Sequence, residues 1–213
     1  MRYIGILAAA VLMMGASPAA PMSSAQWISK FQTAWDGLNT YQATITAREY
    51  LNGRTQDRVY AIKFQKPTSC RLDIIGGDGK GSAAVWQGGD HVVGHQGGWL
   101  SPIHLNLNIH NHIATSMRGR TIAQAPFGAA LDQIKSIKWK STEVTVDGDR
   151  YTMTGIPEDP TQTDGIVKEV MILGANGLPV ELTDYEGAGT VARHETYSDV
   201  QVNVTLPDST WHV

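Results

Sequence analysis

Thr40-Tyr41-Gln42-Ala43-Thr44-Ile45-Thr46-Ala47-Arg48, then Asn52-Gly53, then Val59-Tyr60-Ala61-Ile62-Lys63-Phe64, is the stretch on which the fold turns. Tyr41, Ala43, Ile45 and Ala47 alternate with polar neighbours, the period of two that places every second side chain on one face of a strand. Tyr60, Ile62 and Phe64 share a face in the same way. Asn-Gly between two such runs is the strongest short-range hairpin signal, because the favoured two-residue turn needs positive φ at both central positions. The chain is committed to antiparallel β structure here.

The pattern continues toward the C-terminus. Pro67 closes the second strand, and Cys70 to Ile75 reads as a third. Glycine turns at 76–81, 88–90 and 97–98 separate Ala83 to Gln87, His91 to Gln96 and Trp99-Leu100. Leu105, Leu107 and Ile109 still alternate, whereas residues 111–125 have no clean period. Pro126 to Ile137 predicts a short helix, with Pro126 in its first turn and Phe127, Leu131 and Ile134 at i, i+4 and i+7. The meander then resumes through Glu143 to Val146, Tyr151 to Ile156, Ile166 to Leu173, Leu178 to Tyr185 and Thr190 to Asn203. That makes about ten strands at the spacing of an antiparallel barrel or sandwich.

Toward the N-terminus the period becomes 3.6. Trp27, Ile28, Phe31, Ala34, Trp35 and Leu38 form one apolar stripe, with Ser24 as N-cap and Gly37 suited to a left-handed C-terminal residue. Further back, Arg2, the apolar run Ile4 to Met14 and the small residues Ala16-Ser17-Pro18-Ala19-Ala20 have the order of a secretory signal peptide, cut after Ala19. The run of about eleven residues is too short to span a bilayer as a helix, which takes ~20. No cysteine near the cut offers a lipidation site. The expectation is a leader over 1–19 and one soluble, unlipidated exported domain over 20–213.

Composition narrows the function classes. A hydrophobic content of 42% supports a substantial core, and 17% charged residues is below the usual quarter. The net charge of −3 is mild and the basic residues are scattered, so no dense positive face is available for nucleic acid. The lone Cys70 cannot form an intrachain disulfide, and its alternation with Leu72 and Ile74 makes it a small buried hydrophobe. His104, His110 and His112 cluster, with His91 and His95 before them. On a strand His110 and His112 would face the same way, a geometry a metal could use, but no cysteine or tight carboxylate accompanies them. Solvated or hydrogen-bonded histidines are the default, and no metal or cofactor is expected. In Gly76-Gly77-Asp78-Gly79-Lys80-Gly81-Ser82, Gly81 separates Lys80 from Ser82 and no helix follows, so this is not a phosphate loop. Asp147-Gly148-Asp149 is turn chemistry and Glu158-Asp159 a polar loop. No constellation argues for an enzyme.

The order of these elements, an aromatic-rich helix, a twisted antiparallel sheet and a small helix inserted midway, resembles the LolA/LolB-like periplasmic lipoprotein carrier superfamily. Val59 to Pro67 followed by Arg71-Leu72 resembles the family's second strand, its proline and the arginine-bearing strand beyond. Tyr197-Ser198-Asp199-Val200-Gln201-Val202-Asn203-Val204-Thr205-Leu206-Pro207-Asp208 resembles its closing segment. Lys80-Gly81 through Val93 to Leu100 is similar to an uncharacterised branch. The resemblance implies a mainly β fold with α: a single curved antiparallel half-barrel sheet covered by the N-terminal helix and a short lid helix. It implies a carrier or chaperone whose apolar cavity receives lipid or the acyl chains of lipoproteins, with a membrane-associated donor or acceptor protein as a further partner. Each buried methylene would contribute about 0.8 kcal/mol, so a three-chain lipid could offset even a costly lid opening. The lining positions so implied are Trp27, Phe31 and Trp35 on the first helix, Ile45, Ile62, Phe64, Leu72 and Trp86 on strands, and Phe127, Leu131 and Ile134 on the lid. Plain core is the competing reading for each. The family's lid-holding arginine corresponds to Arg48, Arg58 or Arg71, Arg71 being the internal-strand choice. The glycine-rich stretch Gly76 to Gly98 departs from the transport branch. The alternative is an exported sensor or adaptor of the same fold, acting through protein contacts.

Overall fold

The computed structural model describes residues 21–187 and 189–213; the leader and its cleavage site lie outside them. Helix α1 spans Ser24–Asp36. Its N-cap is Ser23, one residue before the expected Ser24: the Ser23 hydroxyl accepts from Gln26 N–H, and the Gln26 side chain accepts from Ser23 N–H. Gly37 ends the helix at φ −74°, in the right-handed region, because the chain runs straight on into the first strand and needs no left-handed reversal.

Eleven strands follow among the described residues, one more than the sequence count: β1 Thr40–Leu51, β2 Arg54–Gln65, β3 Ser69–Gly77, β4 Ala83–Trp86, β5 His91–His95, β6 His104–Asn108, then β7 Trp139–Asp147, β8 Arg150–Pro157, β9 Ile166–Leu173, β10 Pro179–Glu186 and β11 Thr190–Val202. They form one unclosed antiparallel sheet in the order β6-β5-β4-β3-β2-β1-β11-β10-β9-β8-β7. The sheet is therefore two meanders, each zipped between chain neighbours, joined along the single seam between β1 and β11. The Asn52-Gly53 turn has φ of +52° and +73°, and the β1–β2 register runs unbroken from Thr40↔Gln65 to Leu51↔Arg54. Trp99-Leu100 is not a strand: it lies in a single 3-10 turn, Gly98–Leu100, with Trp99 85% exposed. His110 and His112 fall in turns after β6, so the strand geometry that would align them is absent.

Helix α2, Phe127–Ser136, separates the meanders. Pro126 is its N-cap at ψ 148° and not a first-turn residue. The free N–H of Phe127 is met by the Tyr41 hydroxyl at 3.2 Å, and the two rings stack at 4.5 Å and 11°. Such a pair adds about 0.5–1.5 kcal/mol beyond its buried area. Tyr197 meets Phe127 edge-on at 5.4 Å, so α2 is clamped over β1 and β11. Helix α1 lies toward β7 and β8, where Trp27 Nε1 donates to the Tyr151 carbonyl at 2.8 Å. The helices approach closely at Gly128, where a Cβ would stand 2.4 Å from a ring atom of Trp35.

Candidate functional site

The register decides which side chains share the inner face. Along β1 the buried positions are Tyr41, Ala43, Ile45, Ala47 and Glu49, a face that begins aromatic and ends charged. Pairing extends each position across the sheet. Ile45 lies between Tyr60 and Tyr197, and Ala47 between Arg58 and Glu195. Glu49 continues through Arg193, Asp184 and Glu169 on β11, β10 and β9. A buried ionic row thus crosses the open end of an otherwise apolar face.

The segment without sequence periodicity covers that end. Glu49, 5% exposed, accepts from Ser116 Oγ at 2.8 Å and from Arg118 N–H at 3.0 Å. Gln56 accepts from Met117 N–H at 3.0 Å. Arg118 itself donates to the Tyr50 carbonyl at 2.6 Å and pairs with Glu186 at 2.8 Å. Thr121 and Gln124 close a capping box around the 3-10 turn Ile122–Gln124. Residues 113–125 are in this way fastened to β1 and β2 as a roof.

Under the roof, over β1–β6, lies a cavity of about 410 Å³. Its apolar wall includes Ile45, Leu72, Ile74, Leu105, Leu107 and Ile122; Glu49, Arg58, Lys80, Arg120 and Glu195 supply its charged wall. Beside it, a void of about 10 Å³, the size of one water, lies among Arg120, Glu169, Arg193 and Tyr197.

The charges are strongly coupled to burial. Burial raises the Glu195 carboxyl, but Arg193 and Arg120 outweigh it and hold the group below its usual range. Burial, followed by the Asp184 carboxylate, pushes Glu169 up to about 8. Arg193 pairs with Asp184 at 2.7 Å and Glu195 at 3.1 Å; burial opposes its charge, yet these carboxylates keep it protonated more firmly than in water. Burial, and then the neighbouring Arg193 guanidinium, lower Arg120. Burial also raises the Cys70 thiol, so this cysteine is the inert core residue its sequence context implies.

Of the positions implied as cavity lining, Ile45 and Leu72 reach the cavity. Trp27, Phe31, Ile62, Phe64, Phe127, Leu131 and Ile134 are buried in the packed core, with Trp35 and Trp86 half-buried against it. Helix α2 packs through Phe127 on Tyr41 and borders the small void with Ala130 and Gln133, while residues of 113–125 line the larger cavity. Arg48 pairs with Asp57 at the surface, and Arg71 binds Asp73 and the carbonyls of Thr210 and His212; Arg58 is the one of the three at the cavity. Sequence reading missed Glu49, Arg118, Arg120, Glu169 and Arg193. Glu49 was within reach, since extending the alternation from Tyr41 places it inward. His95 and His104 stack across β5 and β6 at 6.1 Å, and His91 bonds Asn106. Among the described residues no three metal-ligating side chains gather.

No protein-family model matches the chain, and no curated protein matches it. Solved structures do. An uncharacterized conserved protein from Thermus thermophilus superposes with a TM-score of 0.54 at 11% identity, covering 89% of this chain and 93% of that one. A LolA superfamily protein from Nitrosomonas europaea covers 90% and 98% at 13% identity and a TM-score of 0.44. The Pseudomonas aeruginosa MucA/MucB complex contains a chain matched over 88% and 59% at 12% identity and a TM-score of 0.42. The likeness to the Thermus thermophilus protein is one of overall fold.

Proposed function

We propose that the protein is an exported, non-catalytic carrier or chaperone that takes an acyl chain of a lipid or lipoprotein into the cavity over β1–β6. The cavity carries this reading. Its 410 Å³ falls within the ~300–1,000 Å³ of small-molecule sites, and an apolar wall under a removable roof is what an alkyl chain requires. The volume lies toward the lower end of that range, which favours a single alkyl chain as cargo. At about 0.8 kcal/mol per methylene, a long chain still repays displacement of the roof. The leader-like N-terminus supports a periplasmic location, where a membrane-associated donor or acceptor would exchange the cargo.

Native mass spectrometry of protein purified from the periplasm, followed by organic extraction, tests the proposal. The expected result is a bound mass that extracts as a fatty acid, phospholipid or lipopeptide. Empty protein whose tryptophan fluorescence ignores added lipid overturns it. One observation favours the adaptor reading: Phe127 of α2 stacks on Tyr41, which packs on Phe64, and the void that helix borders, about 10 Å³, is too small for cargo. In that case the empty protein would instead bind a protein partner in stoichiometric amount.

A further inference from the structure

The charged side chains of the cavity wall differ in how fully they are hydrogen-bonded. Two carboxylates and two guanidiniums belong to it, Glu49 and Glu195 against Arg58 and Arg120. Both acids are already engaged. Glu49 accepts from Ser116 and Arg118, and Glu195 accepts from Arg193 at 3.1 Å and from the Tyr197 hydroxyl at 2.7 Å.

The guanidiniums are not. Arg58 makes one long bond, from Nη1 to the Tyr60 hydroxyl at 3.4 Å, and its buried Nε has no partner. Arg120 makes one, from Nη2 to the Gln124 carbonyl at 3.4 Å. Among the described residues neither forms an ion pair. A guanidinium presents five N–H donors in a planar fork matched to carboxylate and phosphate oxygens. Leaving such donors unmet near an apolar wall is costly, and an arriving anion would satisfy them in a medium where each charge-assisted bond is strong.

We propose that Arg58 and Arg120 form the head-group site of the cavity and select a single-chain amphiphile with an anionic oxygen group, carboxylate or phosphate, whose tail lies on Ile45, Leu72, Leu105 and Leu107. The inference rests on the acyl-chain reading above and adds the charge of the ligand to it. The two elements that supply the arginines differ in kind: Arg58 stands on rigid β2, whereas Arg120 belongs to the roof. An anion held by both ties the roof to the sheet, so head-group binding and closure are one event.

The test is calorimetric titration of delipidated protein with four twelve-carbon probes below their micelle concentrations: laurate, dodecyl phosphate, dodecanol and dodecyltrimethylammonium. At least one of the two anions is expected to bind tenfold or more tightly than dodecanol and the cation, and Arg58→Gln or Arg120→Gln to abolish that preference. Which anion leads separates a free fatty acid from a phospholipid-derived ligand. Equal binding of anions and dodecanol by the unmodified protein overturns the head-group site and leaves the chain cavity standing. Binding of none of the four overturns both. The probe series on the unmodified protein decides the matter even if a variant does not fold.

Discussion

Glu169 shows how much a single buried side chain can set. It is 5% exposed on β9, faces Asp184 across the ladder, and holds its proton up to about pH 8 because burial and that neighbouring carboxylate oppose its charge. Between its ordinary value of 4.5 and about 8, the folded protein keeps a proton that the unfolded chain has released. Stability is therefore full below that window and falls as pH rises through it. Glu195, whose folded value is depressed, acts in the opposite sense and only below the window. Glu169→Gln should flatten the dependence: urea midpoints measured at pH 5, 6.5 and 8 fall steadily for the parent protein and stay nearly level for the variant. None of this is legible in the sequence. Apolar alternation is read strand by strand, and a carboxylate at an inward position reads as an interruption until the partner strands bring Arg193 and Asp184 beside it.

At the scale of the element, hairpins and helices are legible because their causes are local. Asn52-Gly53 fixes its turn by backbone preference, and the stripe from Trp27 to Leu38 fixes α1 by period. Residues 113–125 are the contrary case. Their order comes from acceptors on β1 and β2, Glu49 and Gln56, more than fifty residues earlier, so no local pattern announces it. Helix α2, by contrast, has an amphipathic sequence, and its Phe127 packs on Tyr41 and Tyr197. The α1–α2 contact is tight enough to test. Gly128→Ala places a Cβ within 2.4 Å of the Trp35 ring, an overpacking expected to cost about 1–3 kcal/mol. For a chain of this size that corresponds to a Tm lowered by roughly 2–12 °C by calorimetry, with cavity binding retained since neither residue lines it.

At the scale of the molecule, the two meanders have different duties. The first carries the cavity, and α1 packs on the far strands of the second. Strand order within each meander follows from short connections between chain neighbours and is readable as such. That the sheet stays open, with β6 and β7 at its edges, is decided only by the β1–β11 seam, which joins strands well over a hundred residues apart. That seam makes the protein two pieces by design of its chain. A break in the turns between Ile109 and Ile113 severs no strand, and the pieces on either side would still share the full Glu49-to-Tyr41 seam, Trp27 on the β8 end and Phe127 on Tyr41. Co-expressed fragments 21–110 and 111–213 should therefore co-purify as an equimolar pair with the parent's near-ultraviolet circular dichroism. Substituting Ile45, at the middle of the seam, with Asp should release them from each other. The molecule then becomes a reconstitutable pair whose reunion rebuilds the wall of a binding cavity, a split reporter already present in the topology.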